Sequence, residues 1–158
     1  TGFVATMVRW ISALILKALK EGWSVDQVAQ KIRDHYGFSF RRARLIAQTE
    51  VVGASNAATF FSIDANAPTG TMTKDWLNAG DHRVRETHVE AGLQQRDIPF
   101  REPFLVGGSE LMFPGDSSLN AAGKETIGCR CTALYQTPGS RRNRIDQRLD
   151  AISQRAGR

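Results

Sequence analysis

The stretch Asn66-Ala67-Pro68-Thr69-Gly70 most constrains how this chain can fold. Pro68 has no backbone N–H and a fixed φ, and Gly70 is costly to order, so neither a helix nor a strand is expected to run through the cluster. The two sides of it differ in period. Upstream, apolar residues recur every three or four positions over long spans. Downstream, apolar runs are short and broken by Gly92, Pro99, Pro103, Gly107, Gly108, Pro114, Gly115, Gly123 and Gly128. The break is therefore read as the boundary between a helical region and a part of mixed structure.

Upstream, Met7, Val8, Ile11, Leu14, Ile15, Ala18 and Leu19 lie at helical spacing over residues 3–20, and Gly22 ends that helix. Ser24 with Gln27 three positions on is a capping box that opens a second helix, carrying Val25, Val28, Ala29 and Ile32 on one face and ending at Gly37. Ser39 caps a third and longest helix to about residue 65. Its Ala-rich face, with Gly53 inside, suits close helix–helix approach. Downstream, short strands are expected near 71–77, 93–98, 103–106 and 127–135, one helix at 82–91 and a loop at 115–126. In residues 71–77, Met72, Lys74 and Trp76 alternate with Thr73 and Asp75. The fold class is α+β: an N-terminal helical region with a long helix (1–67), then a small mixed domain of short antiparallel strands and one helix (68–138). A basic C-terminal tail (139–158) completes the chain.

Charge divides along the same lines. Residues 1–68 carry a net +3, residues 69–139 a net −2 and residues 140–158 a net +4. The tail arginines Arg141, Arg142, Arg144 and Arg148 are candidate nucleic-acid ligands, or simply a solvated basic surface. Cys129 and Cys131 are separated by one residue, too tight a ring for an easy disulfide, so reduced thiols and synthesis in a cytosol are expected. The apolar run over residues 3–19 holds Arg9 and Lys17 and is too short and too charged to span a bilayer. It also makes a poor signal peptide. A chain that opens on Thr1 is expected to be a fragment or a processed form.

The densest chemistry lies in residues 74–88, which hold Trp76, Asp81, His82, Arg83, Arg85 and His88. On a helix Asp81 and His88 are two turns apart and share a face, with Asp81 placed to cap the N-terminus. In a strand Cys129 and Cys131 point to one side, with Arg130 on the other. Two thiolates with His88 and with Asp81 or His82 would suit tetrahedral zinc, although the spacing is not that of a zinc knuckle. The bland alternative is two small buried thiols, a capping carboxylate and a hydrogen-bonded imidazole. Arg83, Arg85 and Arg130 are read as internal partners of the acidic residues, and as phosphate ligands only second to that. Trp76 reads as a core anchor. No Gly-rich phosphate loop, nucleophile elbow or His-Glu-x-x-His stands in the sequence, and no complete catalytic set assembles. An acid–base nuclease using His88 and Asp81 is the enzymatic alternative.

The order of the features says more than any one of them. Arg42-Ala43-Arg44-Leu45-Ile46-Ala47-Gln48-Thr49-Glu50 and Asn56 precede Lys74-Asp75-Trp76. Then come Asp81-His82-Arg83-Val84-Arg85-Glu86-Thr87-His88, Gly92, Pro103-Phe104, Leu111-Met112-Phe113-Pro114-Gly115-Asp116 and Ile127-Gly128-Cys129-Arg130-Cys131. This series resembles the phage Mu F-like minor head protein family, also called the phage head morphogenesis domain, over roughly residues 40–135. Gly128 departs from the Asn common before Cys-Arg-Cys in that family, and Gln48 from a frequent Arg. The resemblance implies a non-enzymatic minor capsid protein of a tailed phage or prophage. Such a protein would be made in the bacterial cytoplasm and carried in the capsid interior. Its implied partners are portal, capsid or scaffold protein and double-stranded DNA, during assembly, packaging or ejection. Members of the family also occur fused to toxin domains.

Overall fold

A computed structural model describes residues 2–67 and 69–137, with side chains from Ala5 onward. Three helices come first: α1 (Gly2–Glu21), α2 (Val25–Tyr36) and α3 (Phe40–Asn66). The local chemistry sets their ends. Ser24 accepts the Gln27 N–H while the Gln27 side chain accepts the Ser24 N–H. Gly37 closes α2 at a left-handed φ of 67° that a side chain would strain. Ile15 and Ala18 of α1, Val28, Ala29 and Ile32 of α2, and Ala43 and Ala47 of α3 form one apolar core. Full burial of Val28 and Ile32 contributes on the order of 1.5–3 kcal/mol each. The small alanines let α2 and α3 approach. Gly53 does not serve that contact: it lies against the Gly115 turn, where a Cβ on Gly115 would stand 3.1 Å from the Gly53 Cα.

A 3-10 turn (Thr69–Thr71) leads into the mixed part. Its strands are β1 (Thr73–Leu77), β2 (Ile98–Pro99), β3 (Phe104–Val106), β4 (Ser109–Leu111) and β5 (Thr132–Gln136), with helices α4 (Glu86–Gln94) and α5 (Gly123–Thr126). β1 is the central strand of an antiparallel sheet in the order β2-β1-β5, and β3-β4 is a separate hairpin. The α+β class holds. Several boundaries move: the helix expected at 82–91 begins four residues later, the strand at 93–98 shrinks to Ile98–Pro99, and the loop at 115–126 contains α5. The strand at 127–135 begins only at Thr132, after both cysteines. The β3-β4 hairpin turns on Gly107 and Gly108, both at positive φ, a two-residue signal that was present in the sequence.

α3 is long enough to enter a second core. Its C-terminal half brings Phe60 against Met72, Phe100 and Phe113. Phe60 and Phe100 stack with ring centroids 4.7 Å apart. One turn earlier, Asn56 donates to the carbonyls of Pro114 (2.9 Å) and Cys131 (3.0 Å) and accepts from the Thr132 hydroxyl (2.9 Å). A buried amide so placed satisfies three groups of two separate chain segments. β1 supplies the next tie. Lys74 is fully buried, its ammonium donating to the Met112 carbonyl at 2.7 Å and lying 4.7 Å from the Phe104 ring centroid and 5.4 Å from that of Phe60. On the other face of the strand the Asp75 carboxylate accepts from the Asp97 N–H and the Gln136 amide.

Burial pushes the Lys74 ammonium down to about 8, against a smaller opposing pull from Asp116. The folded state then releases this proton at lower pH than the unfolded chain does, so the stability contributed by Lys74 rises with pH between about 8 and 10.5. The stability of wild type minus that of Lys74→Met, followed by urea unfolding, is expected to increase across that window by up to about 3 kcal/mol. A flat difference would mean that Lys74 titrates as an exposed lysine.

Candidate functional site

The site is built where the chain leaves β1. Asn78 accepts the Gly80 N–H at 2.9 Å, and Gly80 takes a left-handed φ of 69°. The Asp81 carboxylate then accepts the Arg83 N–H at 3.0 Å, and the Asp81 carbonyl accepts that of Val84 at 3.1 Å. This local turn competes with helix and wins, because the short Asp side chain bonds its own backbone two residues on. α4 therefore starts after Arg85, an extended N-cap whose side chain caps nothing. Asp81 is not a helix cap, and the two-turn alignment of Asp81 with His88 expected from the sequence does not form.

Asp81 faces the other way. Arg130 grips its carboxylate with two parallel bonds, Nη1 to Oδ2 at 2.6 Å and Nη2 to Oδ1 at 2.5 Å. Arg83 adds a looser, exposed contact at 3.3 Å. The Arg130 guanidinium, with the Arg83 bonds behind it, holds the Asp81 carboxyl far below the usual carboxylate range. Arg85 donates to the Ile127 carbonyl. Thus Arg85 and Arg130 both span from the entry of α4 to residues 127–130. His82 is exposed.

Beneath this rim lies a buried cluster. His88, 1% exposed, places Nδ1 3.3 Å from the Cys131 sulfur and 3.8 Å from that of Cys129. Its Nε2 is 3.1 Å from a carboxylate oxygen of Glu125, which is also 1% exposed and accepts from the Thr87 hydroxyl at 2.9 Å. Trp76 meets the imidazole edge-on, with centroids 5.3 Å apart. The two sulfurs do not converge by strand alternation, since both cysteines precede β5. They converge because the chain turns at Gly128 (φ 67°), the Cys129 N–H bonds the Thr126 carbonyl, and the Cys131 N–H donates to the Cys129 sulfur at 3.4 Å. The thiols act as a pair: Cys129 is pushed down by the Cys131 thiol that bonds it and then by His88, while Cys131 is pushed up because it holds the shared proton.

His88, Cys129 and Cys131 offer ligand atoms all within 4.8 Å of one another; Asp81, committed to Arg130, does not belong to that group. Trp76 is core, packed on His88 and Phe104. Arg141, Arg142, Arg144 and Arg148 lie outside the described residues. Glu125 had no signal in the sequence, being one carboxylate in a four-residue helix. Its place is reserved by Gly107, where a Cβ would come within 2.3 Å of the Glu125 carboxylate.

The two positions that depart from the resembled pattern turn out to touch. Gln48 donates to the Gly128 carbonyl at 3.1 Å, and the Gly128 N–H donates to the Thr49 hydroxyl at 2.9 Å. A left-handed φ suits Gly or Asn, which explains how either residue can precede Cys-Arg-Cys. The model of the phage Mu protein F like protein family matches residues 10–134. The chain belongs to that family. It is a domain of the phage head-morphogenesis class. It is 31% identical over 125 residues to the uncharacterized protein YqbB of Bacillus subtilis (strain 168), a match covering 77% of this chain and 39% of YqbB. It is 27% identical over 126 residues to the NAD(+)--arginine ADP-ribosyltransferase EFV of Enterococcus faecalis, covering 79% of this chain and 25% of EFV. The chain thus spans well under half the length of either relative. No solved structure gives a significant match. Among the described residues no helix is long and apolar enough to cross a membrane.

Because Arg130 depresses the Asp81 pKa, the stability from this pair is complete above the ordinary Asp range near pH 4 and is lost as pH falls toward the lower folded value. Thermal unfolding of wild type and Asp81→Asn should differ by a constant amount from pH 5 to 7, with wild type the more stable. The gap should close progressively below about pH 4. A gap that persists unchanged at pH 3 would show that the pair is not the origin of the difference.

Proposed function

We propose that this chain is a non-enzymatic head-assembly component that docks on portal or capsid protein inside the virion. The family match over residues 10–134 carries this reading. The site geometry supports it, because the groups capable of chemistry are already engaged with one another. The Asp81 carboxylate is held by Arg130, and His88, Glu125 and both thiols are each at most 3% exposed. A nuclease would need His88 and Asp81 to converge on a substrate, and here they serve separate partners. In the longer EFV the shared segment is read as a carrier or assembly unit, with the activity in its name belonging to the remainder. The basic residues Arg141, Arg142, Arg144 and Arg148 are proposed to meet DNA or an acidic partner surface.

The contact with portal is assigned to the helical part. α1 and α3 carry exposed apolar side chains, Val8 and Leu16 on α1 and Leu45 and Phe61 on α3, each about half exposed or more. Removing α1–α3 would not test this, because α3 also brings Asn56 and Phe60 into the core of the mixed part. Surface charges are the cleaner change. Wild type is expected to be retained by the portal protein encoded beside it, and Val8→Glu with Leu16→Glu should reduce retention at least about tenfold, the loss of roughly 1.4 kcal/mol or more of binding. No retention of folded wild type would contradict the assembly reading.

A further inference from the structure

We propose that His88 Nδ1, Cys129 Sγ and Cys131 Sγ bind one zinc ion, with solvent as the fourth ligand. This goes beyond the assembly reading and does not depend on it. In a tetrahedral site with Zn–S near ~2.3 Å and Zn–N near ~2.0–2.1 Å, a sulfur and a nitrogen ligand stand about 3.5 Å apart. The two observed separations, 3.3 Å and 3.8 Å, bracket that edge. The donor set of two thiolates and an imidazole is the one zinc takes most readily, and its two negative charges balance the ion in a buried setting.

The surroundings are those of a metal ligand. A ligating histidine donates its second ring N–H to a carboxylate that fixes the tautomer, and Glu125 stands 3.1 Å from Nε2 in that position. Glu125 is fully buried, with Thr87 and the Lys124 ammonium (3.6 Å) as its other partners. That arrangement is costly unless the imidazole needs it. A cavity of about 20 Å³ reaches His88 and Cys131 between Arg83, Arg85 and Arg130. It is large enough for one water and nothing bulkier.

The row Cys131–His88–Glu125 also has the order of nucleophile, base and orienting acid. Two observations favour metal over that alternative. A second sulfur converges on the same imidazole nitrogen, which a single nucleophile would not require. The opening that reaches His88 and Cys131, at about 20 Å³, has room for a water and not for a substrate group.

The test is made on the whole chain, purified under reducing conditions without chelator. Elemental analysis is expected to give about one zinc per chain. After stripping, equimolar Co(II) should give the visible bands of a tetrahedral ion and a thiolate-to-cobalt charge-transfer band. Both should be absent from Cys129→Ser with Cys131→Ser. Glu125→Gln, a positioning change, should retain the cobalt spectrum and weaken zinc affinity by about ten- to a hundredfold. Wild type that purifies without zinc and, still folded by circular dichroism, yields no charge-transfer band with Co(II) overturns the proposal. That titration stands on wild type alone, so a double variant that fails to fold leaves the decision intact.

Discussion

The His88 imidazole is the contact on which the mixed half of this protein depends. It sits on the inner face of α4, and its two nitrogens reach different parts of one return segment, the Cys129–Cys131 sulfurs on one side and Glu125 of α5 on the other. A buried imidazole with one nitrogen unsatisfied would cost about 1–3 kcal/mol, so both partners must be in place together. That requirement fixes the short helix α5, the left-handed turn at Gly128 and the point at which β5 begins. It also requires the absence of a side chain at Gly107, which would otherwise displace Glu125. The Trp76 ring closes the cluster from the sheet side.

Around that centre the fold is drawn together by polar ties that cross long sequence distances. Asn56 joins α3 to the Pro114 turn and to the cysteine segment, and Gln48 and Thr49 hold Gly128 about two helical turns away on the same helix. Lys74 joins β1 to the Met112 carbonyl through a gap between two aromatic rings. Arg130 and Arg85 clamp the outer layer. α3 is therefore shared: its first half completes the helical core through Ala43 and Ala47, and its second half is part of the core of the sheet region. The helical part and the mixed part are joined by contact as well as by chain.

Much of this was legible in the sequence where a local rule decides. The Ser24 capping box, the Ser39 cap, the Gly37 stop and the alternation about Lys74 and Trp76 each rest on neighbours within a few positions, and all are found. The errors have one cause. Asp81 is as good a turn former as a helix cap, and which use prevails depends on Arg130, forty-nine residues on. Cys129 and Cys131 fall within the strand expected at 127–135, but the Gly128 turn and the Cys131 N–H bond to sulfur hold them outside the ladder. Glu125 was beyond reach, since a carboxylate in a polar stretch reads as surface until the imidazole that needs it is placed. The motif order was the stronger guide: Asn56, Pro114-Gly115-Asp116 and Cys129-Arg130-Cys131, far apart in the chain, meet at one hydrogen-bonding side chain.

For a domain of the phage head class, this fold turns the reactive groups inward and leaves apolar side chains of α1 and α3 exposed. The central claim is that α4 and residues 123–136 are held as one unit through His88. Native-state hydrogen exchange tests it most directly. In wild type the amides of α4 and β5 should open together, and in His88→Gln protection should fall in both by a similar factor while that of the α1–α2–α3 core is retained. Protection lost in α4 alone, with β5 and the cysteine segment unchanged, would contradict it.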